Sequence, residues 1–418
     1  MTDKETKVKR TPKQRFKIFL NIVLIVILII AILCGIAAIV TAIGIKSNSE
    51  FISSMSAVEY DNQLVPEKDE NGYYTFTSDK DLKVMQLTDV HIGAGFLCTK
   101  KDNMALNAVA AMIQEEKPDL VVVTGDIAYP VPFQAGTFNN KNSAKLFADL
   151  MEQLGVYWCL AFGNHDTEAY SYFSREDMSE FYESDDYPHC LYQAGPTEVD
   201  GCGNYPVLVK NTKGEITEAL IMLDSHSYVD NDYLGIMWKY DCIHENQVDW
   251  YKNLLNDLQT QNGGTMPKSL CFFHIPVLEY KTAWFDYADN GMTDTADTQY
   301  IYGKAGEVDE VVYSSDYNFG FFDAALELGS TQGMFCGHDH LNSFSLNYKD
   351  IRLTYGYSID YLAYAGIMNF GLQRGCTIID IKPDGSFDCR AENYYQDKYT
   401  PMNEKEEVDL ENWMNDVK

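Results

Sequence analysis

Basic residues are scarce in this chain: 32 Lys and Arg stand against 62 Asp and Glu in 418 residues, a formal net charge of −30. Residues 1–17 hold seven basic and two acidic residues, so residues 18–418 carry a net charge of −35. A body with this charge repels the phosphate backbone of nucleic acids. We therefore exclude DNA and RNA as partners.

The chain also lacks an Asn-x-Ser/Thr acceptor for N-glycosylation, although asparagine is frequent. This absence favours a cell that does not glycosylate its exported proteins. Internal repeats and low-complexity tracts are missing as well, and the 46% hydrophobic and 13% aromatic content is typical of a globular protein. The length fits one large α/β unit. None of these features predicts an oligomeric state.

One long apolar run stands near the N-terminus. Residues 18–45 are almost entirely Ile, Leu, Val and Ala, and about twenty such residues span a bilayer. A cleaved signal peptide is the alternative, but its apolar region is usually only about 7–15 residues long. Basic residues precede the run, so the positive-inside rule predicts a single-pass anchor in the cell membrane, with the N-terminus cytoplasmic and the rest of the chain extracytoplasmic.

The remaining sequence divides by composition. Apolar strand-like runs alternate with amphipathic stretches, which predicts an α/β sheet buried on both faces. The strand-like runs lie at 82–90, 118–126, 157–165, 216–224, 268–276 and 331–340, and the helix-like stretches near 102–116, 143–154, 245–259 and 319–328. The predicted divisions are a basic cytoplasmic tail at 1–17, the anchor at 18–45, a polar stalk or first hairpin at 46–80, one large domain at 81–395 and an acidic tail at 396–418.

Ten cysteines are spread over the chain, nine of them after the apolar run, so at least one of the nine stays unpaired. Three lie within apolar strand-like runs, where a small buried thiol is the favoured state; these are Cys159, Cys271 and Cys336. The more plausible disulfide pairs are Cys190 with Cys202 and Cys376 with Cys389.

Scarce polar residues follow the apolar runs. Five of the eight histidines come just after strand-like segments, together with three aspartates and an asparagine. A single residue of this kind is usually a cap or a turn residue, but open α/β folds assemble their sites at the carboxyl ends of strands. Taken together, the set predicts a site at this edge of the sheet. Its members are Asp89, His91, Asp126, Asn164, His165, Asp166, His274, His338 and His340.

These residue types point to metal chemistry. Imidazole suits Zn, Fe and Mn, while carboxylate favours harder cations, so a mixed set suits borderline divalent metals. Two aspartates, four histidines and one asparagine amide are too many ligands for one ion and fit two ions if one carboxylate bridges them. Two ions about 3.5–4 Å apart can share a hydroxide and hold the oxygens of a phosphoryl group. We therefore predict two divalent ions (Mn, Fe or Zn), with His165 left to carry a proton near the leaving group.

The order D-x-H, G-D, G-N-H-D, H and G-H-x-H resembles the calcineurin-like metallophosphoesterases, and all five blocks are present here. The resemblance implies an α/β fold, a four-layer α/β/β/α sandwich with two mixed sheets, here preceded by one N-terminal transmembrane helix. It also implies a division of labour. One metal is bound by Asp89, His91 and His340, the other by Asn164, His274 and His338, Asp126 bridges them, His165 acts on the leaving group, and Asp166 orients His165.

A finer likeness is to the purple-acid-phosphatase-like, non-purple proteins of plants and fungi. It rests on stretches such as LDSHSY, FFHIPVLE and YGYSIDYLAYAG. True purple acid phosphatases have a tyrosine ligand in G-D-x-x-Y and lack the histidine of D-x-H. This chain has both His91 and Tyr129 in GDIAY. The histidine favours the non-purple site, in which Tyr129 packs against the site or supports a ligand.

The leading interpretation is a membrane-anchored, outward-facing enzyme that hydrolyses phosphate monoesters through attack by a metal-bridged hydroxide. The substrate is then a phosphorylated small molecule or a lipid-linked one. One alternative is a phosphodiesterase or pyrophosphatase acting on nucleotide or lipid-linked diphosphates; another is an inactive surface receptor or scaffold. Residues 280–318 form either a lid whose Tyr280, Trp284 and Tyr317 line the mouth or ordinary packing. His226 either contacts substrate or lies in a turn.

Overall fold

The computed structural model describes residues 11–364, 374–406 and 408. Residues 1–10 of the predicted basic tail lie outside the described part, as do 407 and 409–418 of the predicted acidic tail. The helices in the described part are α1 Pro12–Ser53, α2 Thr99–Glu116, α3 Asn140–Leu154, α4 Arg175–Tyr182, α5 Glu245–Gln261, α6 Leu278–Asp289 and α7 Phe321–Leu328.

The strands form two mixed sheets, as predicted. In chain order they are β1 Glu67–Lys68, β2 Tyr74–Thr77, β3 Leu82–Leu87, β4 Leu120–Thr124, β5 Trp158–Ala161, β6 Tyr205–Lys210, β7 Ile216–Met222, β8 Lys268–Phe272, β9 Thr298–Tyr302, β10 Thr331–Cys336, β11 Ser345–Tyr348, β12 Ile351–Tyr355, β13 Gly375–Ile381 and β14 Phe387–Asn393. The larger sheet has the order β1-β2-β6-β7-β8-β10-β12-β11-β9, and the smaller has the order β14-β13-β3-β4-β5.

Alternating side chains of the larger sheet divide the interior into two cores. In β7, Leu220 and Met222 join the core that contains β3, β4, α2 and α3, whereas Ala219 and Ile221 join the core that contains α5, α6 and α7. Successive strand residues point to opposite faces, so one strand serves both cores. The layers are therefore helices, small sheet, large sheet and helices, which is the predicted α/β/β/α sandwich.

The first hairpin is an edge of the larger sheet. β1 pairs with β2 in antiparallel fashion, and β2 pairs in parallel with β6, with Thr75 opposite Leu208. Part of the predicted stalk region therefore belongs to the folded domain. The parallel pairing joins segments about 130 residues apart in the chain, which no local sequence pattern indicates.

Helix α1 continues well past the apolar run. Its N-terminus is capped by Thr11, with Pro12 in the first turn, and its apolar residues from 18 to 43 are largely exposed. By length and composition it is able to cross a membrane. Its last turns pack on the domain, because Gly44, Asn48 and Ile52 are buried. Residues 46–53 are thus helix rather than a flexible stalk.

All ten cysteines are free thiols. The predicted pair Cys376–Cys389 is wrong because the β13–β14 register places Cys376 opposite Glu392 and Cys389 opposite Ile379. Cys190 and Cys202 are also unpaired. The predicted buried thiols, Cys159, Cys271 and Cys336, are fully buried.

Candidate metal centre

Five parallel strands end at one edge of the two sheets, and the predicted site residues follow them. Asp89 and His91 come after β3, Asp126 after β4, and Asn164 after β5. His274 comes after β8, and His338 and His340 come after β10. The polar side chains meet at the carboxyl ends of the strands, where an α/β fold has its binding crevice.

Two glycines let the strand ends approach each other. A Cβ on Gly163 would lie 2.1 Å from Oδ1 of Asp126, and a Cβ on Gly125 would lie 2.5 Å from Nδ1 of His274. Gly125 also has a φ of +87°, a conformation that side-chain-bearing residues rarely adopt. Only glycine brings the ligands of neighbouring strands this close.

Four of the ligand residues have left-handed backbone conformations. Their φ angles are +50° at Asp89, +53° at His91, +56° at Asp126 and +76° at His338. This region is uncommon for residues other than glycine and costs roughly 1–2 kcal/mol per residue. Backbone strain of this kind concentrates at functional sites, where surrounding structure maintains it.

Asp126 lies at the centre of the site and is fully buried. Its Oδ2 is 3.3 Å from Nε2 of His91 and 3.2 Å from Nε2 of His274, while Oδ1 accepts the backbone N–H of His165. Burial by itself raises the pKa of Asp126, but His274 and then His165 hold the pKa well below its usual range. One carboxylate therefore stands between histidines from the two predicted metal sites.

The first group consists of four donor residues. Ligand atoms of Asp89, His91, Asp126 and His340 all lie within 4.8 Å of one another. Asp360 lies behind both rings at ion-pair distance: its Oδ1 is 3.2 Å from Nδ1 of His91, and its Oδ2 is 3.5 Å from Nδ1 of His340. A carboxylate behind each imidazole leaves Nε2 directed towards the centre, as is usual for metal-binding histidines.

In the second group the hydrogen bonds orient each donor. Asn164 donates its amide N–H to Tyr228, so its Oδ1 faces Nε2 of His274 at 3.1 Å. His274 Nδ1 lies 2.8 Å from the carbonyl oxygen of Thr124, which leaves Nε2 directed inwards. The His338 ring lies 5.1 Å from the His274 ring. All three predicted ligands therefore meet on this side of Asp126.

The donor atoms fit metal ions. Both carboxylate oxygens of Asp89 and Nε2 of His338 are buried without a hydrogen-bond partner among the described residues. Unpaired buried polar groups are costly, and a divalent cation would satisfy all three atoms. The mixed imidazole, carboxylate and amide set suits Mn, Fe or Zn.

His165 stands beside the ligands with its ring held by Glu168. Nδ1 of His165 is 2.7 Å from Oε1 of Glu168, and the ring lies 5.7 Å from that of His91. Burial lowers the pKa of His165, but Asp126 and then Glu168 outweigh burial and raise the pKa above its ordinary value. The sequence pattern did not identify Glu168, although it lies only three residues further along the chain.

Asp166 has another role than the one predicted. Its carboxylate accepts the backbone N–H groups of Asp126, Ala128 and Gly163, so it fixes the loops after β4 and β5. The prediction that it orients His165 is corrected: Glu168 makes that contact. Asp360 was likewise missed, although the quoted stretch YGYSIDYLAYAG contains it.

Tyr129 supports the site by packing. Its ring lies 4.8 Å from those of His91 and His165, and its hydroxyl donates to Gln134 at 2.7 Å. Burial raises the pKa of Tyr129, which disfavours the tyrosinate form. This geometry matches the packing role given to Tyr129 in the non-purple interpretation.

The mouth above the centre is a cavity of about 230 Å³. Residues lining it include His165, His338, His340, Trp238, Tyr240 and Tyr313. Of the predicted lid residues, Tyr280 and Trp284 are instead buried in the core, because α6 packs against the larger sheet. Tyr317 is exposed, and Tyr313 is the tyrosine of this segment at the mouth.

A second group of His and Asp lies at the start of α5. His226 stacks on His244 with ring centroids 4.1 Å apart, and Nε2 of His226 is 2.9 Å from Oε1 of Gln247. Both nitrogens of His244 face carboxylates, those of Asp200 and Asp241. These hydrogen bonds account for the group, and they place His226 in a structural turn.

Comparisons with known proteins agree with this geometry. The calcineurin-like phosphoesterase family matches residues 82–342. The chain is 29% identical to "Probable inactive purple acid phosphatase 14" of Arabidopsis thaliana over 70% of its length and 74% of that protein. It is 27% identical to "Phosphatase DCR2" of Saccharomyces cerevisiae over 65% of its length and 46% of that protein.

Among solved structures, a dimetal phosphatase from Danio rerio covers 76% of this chain and 98% of its own, with 13% identity and a TM-score of 0.48. The family match includes the strand ends that carry all seven predicted ligands. The chain belongs to the calcineurin-like phosphoesterase family.

Proposed function

We propose that this protein is a membrane-anchored, dinuclear metal-dependent phosphoesterase that hydrolyses phosphate monoesters outside the cytoplasm. The observation that carries the proposal is the position of Asp126, whose Oδ2 lies 3.3 Å and 3.2 Å from the Nε2 atoms of His91 and His274. A carboxylate oxygen between donors of two sites suits a bridging ligand. When bound, two divalent ions supply Lewis acidity and a water of lowered pKa.

The chain's own residues supply the proton transfer. His165 is hydrogen-bonded through Nδ1 to Glu168, which leaves Nε2 available at the cavity. The raised pKa of His165, caused by Asp126 and Glu168 against the effect of burial, favours the protonated ring. A protonated imidazole at this position can donate to the leaving-group oxygen as a general acid.

An inactive surface receptor or scaffold is the competing function, because the curated plant relatives carry "inactive" in their names. Against it stands the complete donor set. All seven ligand-type residues and His165 are present, and Glu168 and Asp360 hold the rings in the orientation that chemistry requires. A scaffold has no need for buried metal-ligand atoms that lack a hydrogen-bond partner, such as the carboxylate oxygens of Asp89.

The anchor belongs to the same proposal. Seven basic residues stand in 1–17 before the apolar run, which favours a cytoplasmic N-terminus. Burial of Gly44, Asn48 and Ile52 against the domain supports a retained helix. An N-terminus after about residue 42 in mass spectra of the mature protein, or a domain protected from external protease in intact cells, would contradict the anchor or its orientation.

The activity test uses the full chain in detergent, with Mn, Zn and Fe added separately. Monoester, diester and diphosphate substrates are compared under each condition, with Asp126→Asn as the control for metal-dependent turnover. We expect monoester hydrolysis in the parent and none in Asp126→Asn. A preference for diesters or diphosphates would show that the protein is a phosphodiesterase or pyrophosphatase rather than a monoesterase. Two bound ions without turnover on any substrate would favour the scaffold.

A further inference from the structure

Helix α1 packs along α2 in a defined direction. Asn48 near the end of α1 donates to the carbonyl oxygen of Thr99 at the start of α2, and a Cβ on Gly44 would lie 2.2 Å from Oγ1 of Thr99. Further along, Gln114 near the end of α2 donates to the carbonyl oxygen of Ser56. The two helices therefore run parallel, and the apolar part of α1 extends beyond the N-terminus of α2.

That end of α2 is also the end where the metal centre lies. β3 and β4 are parallel neighbours connected through α2, so α2 begins at the carboxyl edge of the sheet. Residues 18–43 of α1 extend past Thr99; at 1.5 Å per residue these 26 residues measure about 39 Å. A bilayer's hydrocarbon core is about 30 Å thick. The apolar run is therefore long enough to cross the hydrocarbon core, and the bilayer that it enters lies beyond the end of the domain at which α2 begins.

Exposed apolar side chains lie in the loops after β3 and β4, on the side of α1. Phe96 and Leu97, just before Thr99, are exposed, and Phe133 in the neighbouring loop is 92% exposed. The two loops touch, because Leu97 donates its N–H to the carbonyl of Ala135. These loops follow β3 and β4, which carry Asp89, His91 and Asp126. We call Phe96, Leu97 and Phe133 the near rim.

A second exposed apolar surface lies beside the mouth, where Trp238 lines the cavity. The loop after β7 exposes five large side chains, Tyr233, Leu234, Ile236, Met237 and Trp238, with Ile236 at 75%. Its end reaches the centre, since the Tyr240 ring lies 4.3 Å from that of His338. We call these five residues the far rim. Large apolar side chains that are exposed together mark an interaction site.

Basic residues stand at the level of headgroups. Lys46, on α1 just after the apolar run, and Lys100, just after the near rim, are both exposed. In a chain with a net charge of −30, cations beside aromatic and aliphatic side chains are a local exception. Lys with exposed apolar residues is the pattern of segments that lie in the membrane interface, where Trp and Tyr also concentrate.

We infer that the mouth of the metal centre faces the bilayer that α1 enters, and that the substrate is a phosphate monoester carried on a lipid headgroup. This inference rests on the proposed function for its chemistry and on the direction of α1 for its geometry. The near and far rims contact the headgroup region. The phosphate of a lipid in the same membrane then reaches the proposed metal centre through the mouth of the cavity, from the membrane side. A soluble monoester enters from the side and gains nothing from the rims.

The test uses the full chain reconstituted in phosphatidylcholine vesicles that contain phosphatidic acid. The test variant combines Phe133→Asp with Ile236→Asp. The control is Val65→Asp, because Val65 is also an exposed apolar residue but lies away from the rims. Its segment contacts the C-terminal end of α3, where Gln63 donates to the carbonyl oxygen of Gly155. We expect the double variant to lose about tenfold in hydrolysis of vesicle-borne phosphatidic acid, because charges at the rims oppose contact with acyl chains. Hydrolysis of soluble p-nitrophenyl phosphate should stay at the parent rate.

A second readout does not depend on turnover. Acyl-chain-brominated lipids should quench the emission of Trp238, measured as the difference between the parent and Trp238→Phe. Quenching supports the membrane-facing mouth even if neither substrate is hydrolysed, in which case the proposed function fails alone. No quenching overturns the inference, and so does equal hydrolysis of vesicle-borne phosphatidic acid by the double variant and by a parent that is active on it.

Discussion

Nδ1 of His165 lies 2.7 Å from Oε1 of Glu168, and Oε1 of the same carboxylate accepts the Tyr228 hydroxyl at 3.3 Å. Tyr228 in turn accepts the amide N–H of Asn164. One chain of hydrogen bonds therefore joins the proposed proton donor, His165, to a proposed metal ligand, Asn164. Because each member fixes the next, the donor and the second metal position are oriented together.

His165→Ala should retain both ions and the fold yet lose much of the turnover. A positioned general acid contributes about 10²–10⁴-fold, and kcat should fall more than KM changes. The loss should be largest for alkyl monoesters, whose leaving groups need a proton, and smallest for nitrophenyl phosphate. Metal loss in this variant would contradict the ligand assignment, and parent-like rates on every substrate would place the chemistry elsewhere.

Glu168→Gln should cause a smaller loss of the same kind. The glutamine keeps the shape but not the charge, so His165 keeps its place with a weaker hydrogen bond, and we expect a loss of about tenfold or less. The dependence on leaving group should follow that of His165→Ala. Asp166→Asn is the comparison, since the Asp166 carboxylate accepts backbone N–H groups only, and its effect should not depend on the leaving group. If Asp166→Asn showed the same dependence on leaving group as His165→Ala, the predicted role of Asp166 in orienting His165 would be restored.

Asp360→Asn should weaken one metal position selectively. Its carboxylate faces Nδ1 of both His91 and His340, and loss of such a partner typically costs about 10–100-fold in metal affinity. Asp126→Asn should weaken both positions, because that carboxylate is shared. Elemental analysis and calorimetric titration measure the difference. Loss of a single ion in Asp126→Asn would contradict the bridge.

Gly163→Ala should abolish metal binding, although Gly163 is not itself a proposed ligand. The added Cβ would lie 2.1 Å from Oδ1 of Asp126, a distance that real Cβ atoms do not tolerate, so the carboxylate or its strand must shift. Gly155→Ala is the control: nothing lies within 4 Å of its Cβ, and its φ of +68° adds only local strain. Normal metal content in Gly163→Ala would contradict the tight packing of the two strand ends.

Stability should fall at alkaline pH through His244. Its hydrogen bond with Asp241 raises the pKa, burial lowers it, and Asp200 raises it again, to about 9 in all. The unfolded value is about 6.5, so the stabilisation is complete below pH 6.5 and disappears as the pH rises through 9. The parent's thermal midpoint in detergent should fall over this range more than that of His244→Gln; equal slopes would contradict the linkage.

Sequence patterns predicted the residues that the structure brings together at the candidate centre, because strand ends are local features. An apolar run followed by Asp89 or His338 indicates both the strand and the residue after it. The partners Glu168 and Asp360 are different, because loop conformations bring them to the rings. Asp360 follows β12, and only the parallel pairing of β10 with β12 places it behind His340.

The same reasoning explains the errors elsewhere. Cys376 and Cys389 were a predicted pair, but register decides which residues face each other, and the β13–β14 ladder places Ile379 opposite Cys389. Trp284 stands in a long aromatic segment, and burial there depends on how α6 packs against the larger sheet. Tertiary contacts, rather than composition, settled both cases.

The left-handed backbone at Asp89, His91, Asp126 and His338 would make the proposed metal ions part of the folding equilibrium. Without ions, only the surrounding protein structure holds these four conformations against their cost in free energy. A ligand that binds only the folded form stabilises it in proportion to the logarithm of its concentration. Preparations made with chelator therefore contain a more fragile protein, and its melting temperature serves as a gauge of metal occupancy.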